Sequence, residues 1–124
     1  MTASDEMRMW IVRNAATGRV LAWRVRRAES WLDRAVGFLP RTSIAPEEGI
    51  WFERCGAVHT IGMRTPLDMV FLDKDLRVVK VEPNVAPHKL YVGAPKAHVV
   101  AEFGPGFVKA NPLQPGDQLV IEPV

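Results

Sequence analysis

The sequence predicts an α+β domain that is mostly β, with a compact antiparallel sheet curled into a distorted barrel. Three observations predict this class: short runs of alternating apolar and polar residues, glycine- and proline-rich connections between those runs, and a single segment with apolar residues at helical spacing. We expect one short helix at about residues 30–37 and a second short helical turn near residues 105–110. A chain of 124 residues is large enough for one core, so we expect a single domain over residues 1–124.

The composition is that of an ordinary globular protein. With 48% hydrophobic and 24% charged residues, it excludes an intrinsically disordered chain. No apolar run approaches the roughly 20 residues that a membrane-spanning helix needs. The first residues, MTASDEMRMWIV, lack the apolar core of a secretory signal, and we therefore expect a cytoplasmic protein. The single cysteine excludes an internal disulfide.

The first forty residues predict a hairpin followed by the helix. Residues 10–13 and 19–27 have a strand pattern, and the connection NAATG between them suits a tight turn through Asn14 and Gly18. Ser30 is a good N-cap for the helix, which a glycine and then a proline bring to an end.

The rest of the chain predicts strands joined by turns and by one long loop. In the strand at residues 76–81 we expect Val79 and Val81 to face the core, while Lys80 and Glu82 face outward. The other predicted elements are strands at residues 49–53, 55–61, 67–72, 98–103 and 118–122, a turn at 62–66 and a long loop at 83–96.

The net charge of +2 is mild, but arginine is concentrated in the first half, and RVRR at residues 24–27 is the densest cluster. Such a patch attracts anionic partners. However, acidic residues are dispersed through the chain, and it lacks the aromatic interleaving typical of RNA-binding proteins. The pattern therefore argues against nucleic acid, and we expect the partner to be a small molecule or a protein.

The stretch CGAVHTIGMRTPLDMVFLD, residues 55–73, places polar and sulfur-containing side chains in an otherwise apolar pattern. A concave sheet with a few convergent polar groups and apolar walls is typical of small-ligand sites. We therefore predict a non-catalytic binding module that requires no cofactor. His88 and Tyr91 of the long loop would either close over its pocket or pin the loop to the sheet. The predicted ligand-binding residues are His59, Thr60, Met63, Arg64 and Asp68.

Two alternatives remain open from the same stretch. An enzyme would use His59 and Asp68 as a catalytic acid–base pair, provided that the strand register places both side chains on one face. A copper(I) protein would use Cys55, His59 and Met63, whose thiolate, imidazole and thioether are soft metal ligands. Positions four apart in a strand are separated by roughly 13 Å, so only bends at the neighbouring glycines would gather these three ligands.

The motif VHTIGMRTPLDMVFLD and several residues around it carry a resemblance to a known family. Through them the chain is similar to the small prokaryotic proteins called domain of unknown function 192, or uncharacterised protein family 0127. Ile61 and Gly62 replace aromatic residues that commonly precede the methionine, and Leu76 occupies a turn position that glycine often holds. The resemblance implies a small β-rich domain and no established activity. The matching residues are Ala28, Ser30, Arg34, Gly37, Arg41, Gly49, Phe52, His59, Thr60, Met63, Pro66, Leu67, Asp68, Phe71, Leu72, Asp73, Ala94, Pro95, Glu102, Gly106, Gly116 and Asp117.

Overall fold

The computed structural model describes residues 8–28 and 41–124, and these are mostly β, as predicted. The predicted helix at about residues 30–37 lies outside the described residues. The predicted turn near residues 105–110 is a short helix, α1 (Phe107–Ala110). The strands are β1 (Trp10–Asn14), β2 (Val20–Arg27), β3 (Glu48–Glu53), β4 (Ala57–Val58), β5 (Leu67–Leu72), β6 (Val78–Val85), β7 (Val92–Gly93), β8 (Val99–Phe103) and β9 (Leu119–Pro123).

Seven of these strands form one sheet in the order β6-β5-β8-β3-β2-β1-β9, and β4 pairs with β7 in a separate two-stranded sheet. Every pairing is antiparallel except that between β2 and β3, which makes the large sheet mixed. A parallel pair needs a connection of a dozen or more residues to return the chain to the same end of the sheet. The segment between β2 and β3 has that length.

The large sheet does not close into the predicted distorted barrel. Its edge strands β6 and β9 approach each other at one end only, where Arg77 bridges to Gln118 and the Leu119 N–H donates to the Leu76 carbonyl at 3.0 Å. Two register shifts interrupt the pairing of β6 with β5. Such bulges bend and twist an edge strand, which accounts for the divergence of β6 from β9 beyond this end.

The sheet carries a separate hydrophobic cluster on each face, and β5, which is buried along its whole length, contributes to both. On the first face, Phe107 of α1 stacks on Phe103 with ring centroids 3.8 Å apart. The second face is covered in part by the β4–β7 sheet. The buried residues of the first face are Val12, Leu21, Ala22, Val25, Trp51, Val70, Leu72, Val78, Val99, Ala101, Phe103, Phe107 and Leu119. Those of the second face are Ala28, Ile44, Ile50, Phe52, Met63, Leu67, Met69, Phe71, Val85, Val92 and Val100.

The turns follow the local sequence. The Asn14 side chain accepts a hydrogen bond from the Ala16 N–H at 2.9 Å, and Gly18 has a φ of 75°. Leu76 has a φ of 64°, a left-handed conformation that explains why glycine suits this turn position.

One prediction for β6 is wrong. Val81 packs against the first-face cluster, whereas Val79 packs against the second-face cluster. The pairing changes register at this point, since Leu72 pairs with Val78 and the preceding Phe71 pairs with Lys80. The extra residue of the bulge breaks the two-residue alternation on which the prediction depended.

Candidate functional site

Thr60 is a buried residue that ties two distant segments together. Its Oγ1 donates to the Ala86 carbonyl at 2.8 Å and accepts from the Lys89 N–H at 2.8 Å. Its backbone N–H donates to the Lys89 carbonyl at 2.9 Å, and its carbonyl accepts from the His88 N–H at 2.8 Å. These four bonds hold residues 86–89, which follow β6, against Thr60, which follows β4.

The two segments joined by Thr60, residues 54–66 and 85–98, form what we call the basic lobe. Pairing of β4 with β7 holds its segments together, and Met63 and Val92 anchor it in the second-face cluster. The basic lobe contains no aspartate or glutamate, although the whole chain has 14 of them. Its cationic and imidazole side chains, all exposed, are Arg54, Arg64, Lys89, Lys96 and the three histidines of the chain, His59, His88 and His98.

The basic lobe also exposes large apolar side chains. Leu90 is 81% exposed, Tyr91 is 72% exposed and Ile61 is 44% exposed. Leu90 and Tyr91 directly follow the clamped Lys89, and Ile61 directly follows Thr60. Within the part of the chain that the structure describes, the backbone N–H and C=O groups of Leu90 and Tyr91 form no hydrogen bond. We call these three residues the apolar tip.

The structure divides the predicted ligand-binding residues between the two faces of the sheet. His59, Thr60, Met63 and Arg64 all belong to the basic lobe, where Met63 and Thr60 are buried and the other two are exposed. Asp68 is 2% exposed and lies on the first face, opposite Phe103. The five residues therefore do not line one pocket.

Both carboxylate oxygens of Asp68 accept hydrogen bonds from backbone amides. Oδ1 accepts from the Asn84 N–H and Oδ2 from the Val108 N–H, each at 2.9 Å. Asn84 has a φ of 51° and lies in a bulge of β6, and Val108 lies in the first turn of α1, whose N-cap, Gly106, has no side chain to offer. Asp68 thus stabilises an irregular strand and a helix start.

The acid–base pair of the enzyme alternative is not formed. The His59 side chain is exposed, and its Nδ1 accepts from the Ile61 N–H at 3.2 Å. Asp68 is buried on the first face, and its hydrogen bonds are with the amides of β6 and α1 rather than with this imidazole.

The three candidate copper ligands occupy different surroundings. The Cys55 thiol donates to the Ala57 carbonyl at 3.1 Å, the His59 imidazole faces solvent, and the Met63 thioether is part of the second-face cluster. Within residues 8–28 and 41–124, no group of three or more histidine, cysteine, aspartate or glutamate residues is placed to hold a metal ion.

Glu102 is a residue of interest that the sequence reasoning missed as a candidate. It is 5% exposed in the middle of β8, between Ile50 of β3 and Met69 of β5. Its carboxyl forms no hydrogen bond or ion pair with the residues described, and burial raises its pKa from 4.5 to about 8. The sequence does mark this position, because Glu102 is the single charged residue in the apolar run VVAEF. In the sequence analysis it served only as a match to the family.

The arginine cluster of β2 is largely occupied by neighbouring acids. Arg24 forms an ion pair with Glu47 at 3.1 Å, and Arg27 forms one with Glu53. The Arg27 guanidinium also lies 4.5 Å from the centroid of the Trp10 ring. These contacts neutralise Arg24 and Arg27, whereas the structure shows no ion pair for Arg54, Arg64, Lys89 or Lys96 among the residues it describes.

A cavity of about 340 Å³ lies where the β5–β6 turn meets the basic lobe. Its lining carries charges of both signs, which suits no single class of ligand. The lining residues are Asp73, Lys74, Asp75, Lys96, Ala97 and His98.

Among the described residues, no helix has the length and apolar character that crossing a bilayer would require.

The fold and the site define a small domain in which an open, mixed β-sheet carries a clamped basic lobe on one face. The family model for domain of unknown function 192, described as an uncharacterized ACR, matches residues 12–121. The chain belongs to this family.

One sequence relative and two solved structures are similar to this chain. A UPF0127 protein of Pyrococcus horikoshii is 27% identical, and the match covers 80% of this chain and 90% of that protein. A crystal structure described as a putative transcription regulator from Sinorhizobium meliloti superposes with a TM-score of 0.76 at 26% identity, covering 91% of this chain and 92% of that one. A protein of unknown function from Novosphingobium aromaticivorans gives a TM-score of 0.75 at 24% identity, covering 90% and 83% respectively.

Proposed function

We propose that this chain is a non-catalytic binding module whose contact surface is the basic lobe. The single observation that carries the proposal is the apolar tip: Leu90 and Tyr91 are the two most exposed large apolar residues within the lobe, yet the loop that presents them is clamped by Thr60. Exposed apolar side chains rimmed by polar ones mark interaction sites in soluble proteins. Tyrosine and arginine are also enriched where such sites are fully buried on binding.

The clamp favours binding because it reduces the entropy lost on association. A mobile loop would have to be ordered when a partner binds, whereas a loop already fixed by hydrogen bonds loses little further freedom. The predicted long loop at residues 83–96 is shorter in the structure, because β6 extends to Val85 and β7 occupies Val92–Gly93, so the clamped connection is residues 86–91.

The predicted site residues take different parts in this proposal. His59 and Arg64 lie on the contact surface, while Thr60 and Met63 fix its shape from beneath. Asp68 acts from the opposite face, where it stabilises the β6 bulge that precedes the long loop.

Site-specific photo-crosslinking in cells tests the proposal without assuming a partner. A benzophenone amino acid replaces Leu90 in one variant and Lys109, an exposed residue of α1 on the first face, in a matched control. We expect a discrete crosslinked product from position 90 that is absent from position 109 and is reduced by the additional change Thr60→Val. Equal products from both positions, or none from either, would contradict a binding role for the lobe.

A further inference from the structure

We infer that the partner of the basic lobe is an extended polypeptide segment in which acidic residues alternate with apolar ones. This inference rests on the proposed function and adds the chemistry of what is bound. Three properties of the lobe lead to it: its charge, its free backbone groups and its apolar tip.

The charge of the lobe requires an anionic partner. Four lysine or arginine side chains are exposed on two segments that contain no acidic residue. The whole chain has a net charge of +2, so the chain outside the lobe is net acidic. Lys96 shares a cavity lining with Asp73 and Asp75, so the positive surface open to an acidic partner is formed by Arg54, Arg64 and Lys89.

The backbone at the tip favours a polypeptide over a lipid surface. The N–H and C=O groups of Leu90 and Tyr91 are unpaired within the described chain, directly before the edge strand β7. In hydrocarbon each unpaired group would cost several kcal/mol. An added peptide strand would instead pair these groups, as in recognition by strand addition.

The apolar tip favours a polypeptide over nucleic acid. Leu90 and Ile61 offer only aliphatic surface, which gains nothing from contact with phosphates, and Tyr91 is a single stacking platform. In an extended peptide, side chains alternate between faces two residues apart. A segment that carries both residue types would offer apolar side chains to the tip and carboxylates to Arg64 and Lys89.

The test uses a labelled twelve-residue peptide of alternating glutamate and leucine, measured by fluorescence anisotropy with the full chain. Its comparators are the same peptide with lysine for glutamate, vesicles of anionic lipid and a single-stranded oligonucleotide. We expect binding of the acidic peptide to weaken about tenfold or more in Arg64→Glu/Lys89→Glu, and to weaken with added salt. Leu90→Ser should weaken it at high salt as well, while Lys109→Glu should leave it unchanged.

Tighter binding of the lysine peptide, the vesicles or the oligonucleotide than of the acidic peptide would overturn the inference. So would acidic-peptide binding that is insensitive to Arg64→Glu/Lys89→Glu. Crosslinks from position 90 to a partner without such a segment would overturn the inference while leaving the proposed function intact. Circular dichroism of each variant confirms that the fold is retained, since all of these positions are exposed.

Discussion

Glu102 shows how a single residue can set the pH dependence of the whole domain. Its carboxyl lies among apolar neighbours, and ionising it there would leave a charge without solvent or a described partner. Burial therefore raises its pKa from 4.5 to about 8. Between pH 4.5 and about pH 8, the folded protein keeps a proton on Glu102 that the unfolded chain releases. Unfolding therefore becomes more favourable as the pH rises.

The consequence is a specific loss of stability with pH. The contribution of Glu102 is fully present below about pH 4.5 and is lost as the pH rises through about 8. We expect the free energy of unfolding to fall by up to about 1.4 kcal/mol per pH unit in this window. Urea denaturation at a series of pH values measures it.

Glu102→Gln provides the control because the amide has a similar shape and does not titrate. We expect its stability to vary less between pH 5 and about pH 8, and to exceed that of the wild type at the alkaline end of the window. An equally steep pH dependence in this variant would assign the effect to another group.

Asp68 is a second buried acidic residue, and its carboxylate stabilises the backbone around it through two hydrogen bonds. Asp68→Asn leaves one acceptor oxygen and places an amide donor opposite a backbone N–H, so at least one partly buried N–H loses its partner. We expect a loss of about 2–4 kcal/mol of unfolding free energy, measured by chemical denaturation. Asp75→Asn, an exposed position in the β5–β6 turn, is the matched control and should change stability by less than about 0.5 kcal/mol.

At the scale of elements, the basic lobe depends on two side chains, Thr60 and Met63. The strand β4 and the strand β7 have only two residues each, which is too little pairing to hold the lobe together by itself. The hydrogen bonds of Thr60 to Ala86 and Lys89, together with the packing of Met63, supply the rest.

Replacement of the Thr60 hydroxyl should therefore loosen the loop locally. We expect Thr60→Val, which preserves shape, to increase hydrogen exchange at the Lys89 amide and to destabilise the domain by about 1–3 kcal/mol. Thr65→Val is the control within the same lobe, since its hydroxyl bonds only to the adjacent Pro66 carbonyl at 3.3 Å. Unchanged protection at Lys89 would show that the backbone bonds alone fix the loop.

At the scale of the whole molecule, the two faces of the open sheet carry different structures. The first face receives α1 and the Asp68 network. The second face carries the basic lobe and the buried carboxyl of Glu102. The charge of the molecule follows the same division, because the lobe is cationic and the chain outside it is net acidic.

Local patterns in the sequence were enough to locate most strands, the opening hairpin and the short helix α1, whereas the turn position of Leu76 came from the family resemblance. The alternation of apolar and polar residues and the preferences of turn residues act over a few positions, so they can be recognised without knowledge of the rest of the chain. Family membership could be recognised for the same reason, through the motif at residues 58–73.

The tertiary structure alone decided which of those residues meet. Asp68 and Met63 are five positions apart but lie on opposite faces, whereas Thr60 and Lys89 are in direct contact. Strand order, the bulges of β6 and the gap between β6 and β9 depend on contacts between distant residues, and a shift of one residue moves a side chain to the other face. The sequence by itself thus determined the elements of this protein, and the long-range packing of those elements determined its candidate binding surface.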